Sequence, residues 1–231
     1  MSTVDVGEVR LHVEDRGTGE PALVLVHGYT GSILDWADVQ DLLAVDRRVV
    51  AYDHRGHGRS SHAPAYSIDL LADDLVGVLE ELGLDEIHLL GHSMGGVVAL
   101  RHVLAHPERV RSLVLMDTSA EPMGDLSEVL GPLVDVGREQ GMDAVLELTR
   151  PFLTALLVGD DARKAELTAR IDEKYGQLDV EAFATFGREL GTYPAMTDRL
   201  AEIACPTTVL VGEDDSSLRA SAEVMADGIS G

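Results

Sequence analysis

Four short, mainly apolar runs punctuate the first half of the chain: Ala22 to Val26, Val49 to Tyr52, Ile87 to Leu90 and Val110 to Met116. Runs of this length and composition predict strands covered on both faces. Between them, apolar residues recur at helical spacing: Ile33, Leu34, Trp36, Val39, Leu42 and Leu43, then Ile68 through Leu82, then Val97 through Val103. Strands alternating with helices at this interval call for a mainly parallel sheet with helices on both sides, the α/β class. Ahead of the first run, residues 3–15 alternate apolar and polar, which predicts two antiparallel edge strands turning near Gly7.

The pattern changes after Thr118. From about 125 to 200 no buried strand is legible; amphipathic helical stretches are expected to break at Gly131-Pro132, Gly141, Arg150-Pro151, Gly159-Asp160, Gly176 and Tyr193-Pro194. Thr207 to Val211 then resumes the sheet, and a last helix runs to about Asp227. The expected organisation is therefore a core over 1–124, an all-helical insertion over 125–200, and the rest of the core over 201–231.

Charge and cysteine content narrow the partners. The 41 acidic against 18 basic residues leave a formal charge of −23, which disfavours nucleic acid or an anionic membrane and favours solubility. With Cys205 as the single cysteine, no intrachain disulfide or cysteine-based zinc site can form. The start lacks a basic and apolar leader, and no later stretch approaches a membrane-spanning length, so the default expectation is cytoplasmic.

Chemistry concentrates at the junction of the third run and its helix, His88-Leu89-Leu90-Gly91-His92-Ser93-Met94-Gly95-Gly96-Val97. This is G-x-S-x-G, a serine on a sharp strand-to-helix turn, where a Cβ two residues before or after the serine would collide as strand and helix converge. The turn lifts the hydroxyl clear of the sheet and leaves it beside free N–H groups at a helix N-terminus. The glycine-rich segment His27 to Ser32 is followed by no G-x-G-x-x-G or Walker pattern, which argues against a nucleotide there.

Three motifs in order, His27-Gly28-Tyr29, Tyr52-Asp53-His54-Arg55-Gly56-His57-Gly58-Arg59-Ser60 and Gly91-His92-Ser93-Met94-Gly95-Gly96, make the whole chain resemble the α/β-hydrolase fold superfamily. The wording is closest to small bacterial serine esterases, enol-lactone hydrolases and C–C bond hydrolases. The resemblance implies an inserted helical cap, Ser93 as nucleophile, and the backbone N–H groups of Tyr29 and Met94 as the oxyanion hole. It places the acid at Asp215, with Asp214 and Asp117 as competitors; Asp214 and Asp215 also suit the cap of the following helix. His27, Asp53, His54 and Arg55 are read as scaffold, and His92 should point away from the nucleophile.

The superfamily order is serine, acid, histidine. Only 16 residues follow Asp215, against the ~20 at least that a helix, a strand and a histidine loop require. All nine histidines lie at or before His106. The expectation is a core that lacks its last strand and general base, with weak activity on activated aryl esters at most. The implied function is cleavage of a carboxylic ester or lactone through an acyl-enzyme on Ser93, needing no cofactor and no metal. The rivals are C–C cleavage on the same fold and a noncatalytic scaffold. Without a further strand, Thr207 to Val211 would be an open edge, and homo-oligomerisation is the expected consequence.

Overall fold

The computed structural model describes residues 2–231. Its seven-stranded sheet has the order β1-β2-β4-β3-β5-β6-β7. The strands are β1 (Ser2–Val6), β2 (Val9–Arg16), β3 (Ala22–Val26), β4 (Val49–Tyr52), β5 (Ile87–His92), β6 (Val110–Met116) and β7 (Thr207–Leu210). The first two pair antiparallel, as the alternating pattern predicts, and β2 pairs antiparallel with β4. From β4 across to β7 every pairing is parallel. The chain moves outward one way from β3 to β4 and the other way to β5, so the loops after β3 and β5 part above the sheet. That reversal point is where open α/β sheets form their crevice.

One face of the sheet is deeply covered. Helix α2 (Ile68–Glu81) buries Ile68, Leu71, Leu75, Val78 and Leu79, and α3 (Met94–Ala105) buries Val97, Val98, Leu100 and Val103. Ser67 caps α2 by accepting from the Leu70 N–H. On the other face the cover is small. Ile33 and Trp36, on a 3-10 turn, and Leu43, on the short α1 (Gln40–Leu43), pack over Leu23, Leu25, Val49 and Ala51. The sequence predicts one helix over 33–43; the observed break at residues 37–39 leaves Val39 and Leu42 exposed, so only part of that apolar set reaches the sheet.

Between β6 and β7 the chain forms α4 (Ser127–Gln140), α5 (Met142–Ala155), α6 (Asp161–Gly176) and α7 (Val180–Leu190), then a 3-10 turn over Thr197–Glu202. The expected breaks at Gly131-Pro132 and Arg150-Pro151 do not occur. Both prolines sit inside helices, with Pro151 on the exposed side of α5, so water can take the carbonyl hydrogen bond that proline leaves unmade. A final helix, α8 (Arg219–Gly228), returns against β7.

Candidate active site

Gly91, next to last in β5, lies against α3. A Cβ there would strike the Gly95 carbonyl, and one on Gly95 would strike the Val26 and His27 carbonyls. Main chain meets main chain, and only glycine fits. Between them Ser93 is held at φ 53 and ψ −119, a region that side-chain-bearing residues seldom occupy. The strain is over-determined: the Ser93 N–H donates to Met116 O at 2.9 Å, and the Thr118 hydroxyl donates to Ser93 O at 2.7 Å. Thr118 also lies against Gly96, where any Cβ would meet it. Nothing in the sequence singles out Thr118 for this role.

The loop after β3 runs alongside. A Cβ on Gly28 would stand 3.0 Å from the Ser93 Cβ, so the next residue, Tyr29, begins beside the serine. Among the described residues neither the Tyr29 N–H nor the Met94 N–H donates a hydrogen bond. These two donors, one from each loop at the reversal point, remain free for an oxygen. Tyr29 is also tied to the helical insertion: its hydroxyl donates to Phe183 O at 2.7 Å and its ring stacks on Phe183 at 5.5 Å. The sequence gives no sign of this tie.

Beneath the loops lies a set of buried imidazoles. His27 Nδ1 donates to Gly28 O at 2.8 Å, and its Nε2 accepts from the His54 N–H at 3.0 Å. His54 Nε2 donates to His27 O and His57 Nδ1 to Arg55 O. Burial holds all three below the ordinary histidine value, His57 at about 4, so they are neutral. Asp53 accepts from the Ile33 and Arg59 N–H groups, and its burial raises it to about 6. Arg55 makes a bidentate pair with buried Asp74, 2.7 Å on each arm. These residues lock the loop after β3 to the segment after β4, and none hydrogen-bonds to Ser93. His92 turns its ring edge-on to Trp36 at 6.4 Å.

The acid candidates gather around Gly212. Asp117, at φ 44, accepts from the Gly212 N–H at 2.8 Å. Asp215 accepts from the Ser217 N–H and hydroxyl and from the Leu218 N–H, and this self-capping holds it below the usual carboxylate value. Asp214 is exposed. Among the described residues Ser93 Oγ has no hydrogen-bond partner, and neither Asp117 nor Asp215 bonds to an imidazole. The structure thus brings Ser93, Tyr29 and Met94 together, and Asp117 and Asp215 together.

Known proteins are similar to this chain in sequence and in fold. A 2-hydroxy-6-oxononadienedioate/2-hydroxy-6-oxononatrienedioate hydrolase from Burkholderia vietnamiensis is 33% identical over 222 residues, covering 91% of this chain and 76% of that protein. The crystal structure of an enol-lactonase from Burkholderia xenovorans LB400 superposes with a TM-score of 0.86 at 26% identity, over 100% of this chain and 88% of that one. A thermophilic esterase from Thermogutta terrifontis gives a TM-score of 0.84 at 29% identity, over 99% of this chain and 86% of that one. The family model described as alpha/beta hydrolase fold matches residues 21–220. With the reversal point, the glycine-locked serine and that match agreeing, the chain belongs to the α/β-hydrolase fold family.

Proposed function

We propose that the chain is a serine hydrolase that takes the acyl group of a carboxylic ester or lactone onto Ser93, with the helical insertion as its cap. The observation that carries this reading is the strained Ser93 turn with two free N–H donors beside it. The Ser93 oxygen would bond to the acyl carbon, and the carbonyl oxygen would collect negative charge facing the Tyr29 and Met94 N–H groups. The alcohol would leave, and water would release the acid. Asp215, or Asp117 beside Gly212, is the proposed acid.

The proton of Ser93 needs an acceptor, and among the described residues no imidazole hydrogen-bonds to its hydroxyl, although His54 Nδ1 and His57 Nε2 are without a partner. Loss of the histidine in a serine protease costs about a millionfold in turnover. Turnover by these 231 residues should therefore be weak and confined to activated aryl esters. C–C cleavage is the second reading, favoured by the Burkholderia vietnamiensis relative. A groove of about 340 Å³ lined by His92, Met116, Trp36 and Leu167 carries Arg170 and Lys174, which a substrate carboxylate would need. Both cations are already paired, Arg170 with Asp38 and Lys174 with Asp35, so the ester or lactone reading is preferred.

The test measures turnover of a short-chain aryl ester and stoichiometric labelling by a fluorophosphonate. We expect slow turnover and labelling, both abolished by Ser93→Ala. We expect a large gain when a strand and histidine from a close relative are appended. Equal, fast, Ser93-dependent turnover with and without that extension would place the base among the residues already present. Absence of labelling in both would refute the nucleophile and leave the scaffold reading.

A further inference from the structure

The loop after β3 is held from two sides. From the core, His27 Nε2 accepts from the His54 N–H, and the Ile33 N–H donates to Asp53 at 2.7 Å. Both ties lie at the ends of the loop. Among the described residues its middle makes one main-chain bond of its own, Gly31 N–H to Gly28 O at 3.0 Å. Thr30 stands there at φ 57, a strained value that persists only where neighbours impose it.

The neighbours come from the helical insertion. Phe183 O, on α7, accepts from the Tyr29 hydroxyl at 2.7 Å. Gly187, one turn on, leaves room for that contact, since a Cβ there would stand 2.8 Å from the Tyr29 hydroxyl. Tyr175, buried on α6, sets its phenol beside the Thr30 side chain. Lys174, next to it, donates to Asp35 Oδ1 at 2.6 Å, while Asp35 Oδ2 accepts from the Ser32 N–H at 3.2 Å. Tyr29 and Thr30 directly, and Ser32 through Asp35, are thus gripped by α6 and α7.

The two free N–H donors beside Ser93 therefore differ in what aims them. The elbow that carries the Met94 N–H is fixed by the core, through Met116 O and Thr118. The Tyr29 N–H belongs to a loop whose middle is fixed by the insertion. A donor has to be held to within about 0.5 Å to act on a reacting oxygen. We propose, resting on the acyl-transfer reading of Ser93, that the helical insertion is a working part of the oxyanion hole: seated, it holds the Tyr29 N–H on the developing oxyanion, and lifted, it lets that donor turn away. The Tyr29 hydroxyl, Tyr175 and Lys174 are positioning groups that act through the loop. The step that shuts substrate in then also completes the site.

Fluorophosphonate labelling tests this, because the phosphoryl oxygen takes the place of the oxyanion as the Ser93 oxygen bonds to phosphorus and fluoride leaves. Tyr29→Phe removes the hydroxyl tie and keeps the ring and the N–H, and Lys174→Met removes the hold on Asp35. We expect the two together to slow the covalent step about tenfold or more, short of the ~100- to 1000-fold that deleting an oxyanion donor costs, with the reversible complex no weaker. Lys174→Arg in place of Lys174→Met should recover part of the loss, because it keeps a cation on Asp35. Hydrogen exchange at the Gly31 amide should quicken in the double variant, while that at Gly96, in the elbow, stays as in the wild type. Quicker exchange at Gly31 with labelling at the wild-type rate would overturn the proposal. So would exchange at Gly31 that does not respond, or slowing that lies in the reversible complex alone or that Lys174→Arg fails to relieve. A wild type that never labels at Ser93 would be a different failure: it would refute the nucleophile itself, and the role of the insertion with it.

Discussion

The serine half of the site and the carboxylate half are built in different ways. At Ser93 the geometry is set by main chain against main chain: Gly91 against Gly95, Gly95 against the Val26 and His27 carbonyls, with Thr118 and Met116 holding the strained residue in place. Around Gly212 the geometry is set by side chains that serve their own loop, Asp117 on the Gly212 N–H and Asp215 on Ser217 and Leu218. The first half is fixed whether or not a reaction follows. The second half takes the nearest donors and would turn to an imidazole only if one were offered. A strained serine turn can therefore be fully formed while the groups that a serine nucleophile would need beside it are not.

The largest effect that would separate the halves is steric. Gly95→Ala forces a Cβ into two carbonyl oxygens that cannot move without parting β3 from α3. We expect a loss of about 3 kcal/mol or more in urea unfolding, at the upper end of overpacking costs. A loss under about 1 kcal/mol would mean that the elbow yields.

An intermediate effect is expected from pH. His57 and His102 are both buried and held down to about 4. A histidine lowered in the folded state adds stability that is complete above its unfolded value near 6.5 and is lost as pH falls toward 4, because the unfolded chain takes up the proton first. That is about 3 kcal/mol for each. Asp53, raised to about 6, works oppositely: its contribution grows as pH falls from 6 toward 4. The balance, with His27 and His54 shifted in the same direction as His57, is a net loss of about 3 kcal/mol or more between pH 7 and 4. Urea midpoints that stay level across this window would refute the neutral cluster.

The smallest effect belongs to the carboxylate half. Asp215→Ala removes three loop hydrogen bonds from a half-exposed group, so about 1 kcal/mol is expected, as for a lost helix cap. The proposed acid role needs an imidazole between Asp215 and Ser93, and Asp215 bonds only to Ser217 and Leu218, so fluorophosphonate labelling of Ser93 should change little. A clear drop in labelling rate would show that Asp215 reaches Ser93 without that imidazole.

What the sequence discloses follows the same division. The β3, β4, β5 and β6 runs, the two antiparallel strands and the elbow glycines are all legible, because burial and close backbone approach leave compositional marks. Pro132 and Pro151 mislead, since a single proline signals a break only where the lost hydrogen bond cannot be replaced. Thr118 and the Tyr29–Phe183 tie leave no mark, because each joins segments far apart in the chain. The three histidines and Asp53 are conspicuous in the sequence, yet their place under the loops comes from tertiary packing.

The glycines at 91 and 95 have one more consequence, which concerns descent. Because these residues let a strand and a helix approach at main-chain distance, selection for folding alone would keep them. The serine between them sits in a conformation that few residues tolerate, which narrows its replacements even without catalysis. A lineage that ceased to hydrolyse anything would go on displaying a formed nucleophile for as long as it went on folding. In such a lineage the G-x-S-x-G signature records ancestry, and present-day activity has to be read from what surrounds the serine.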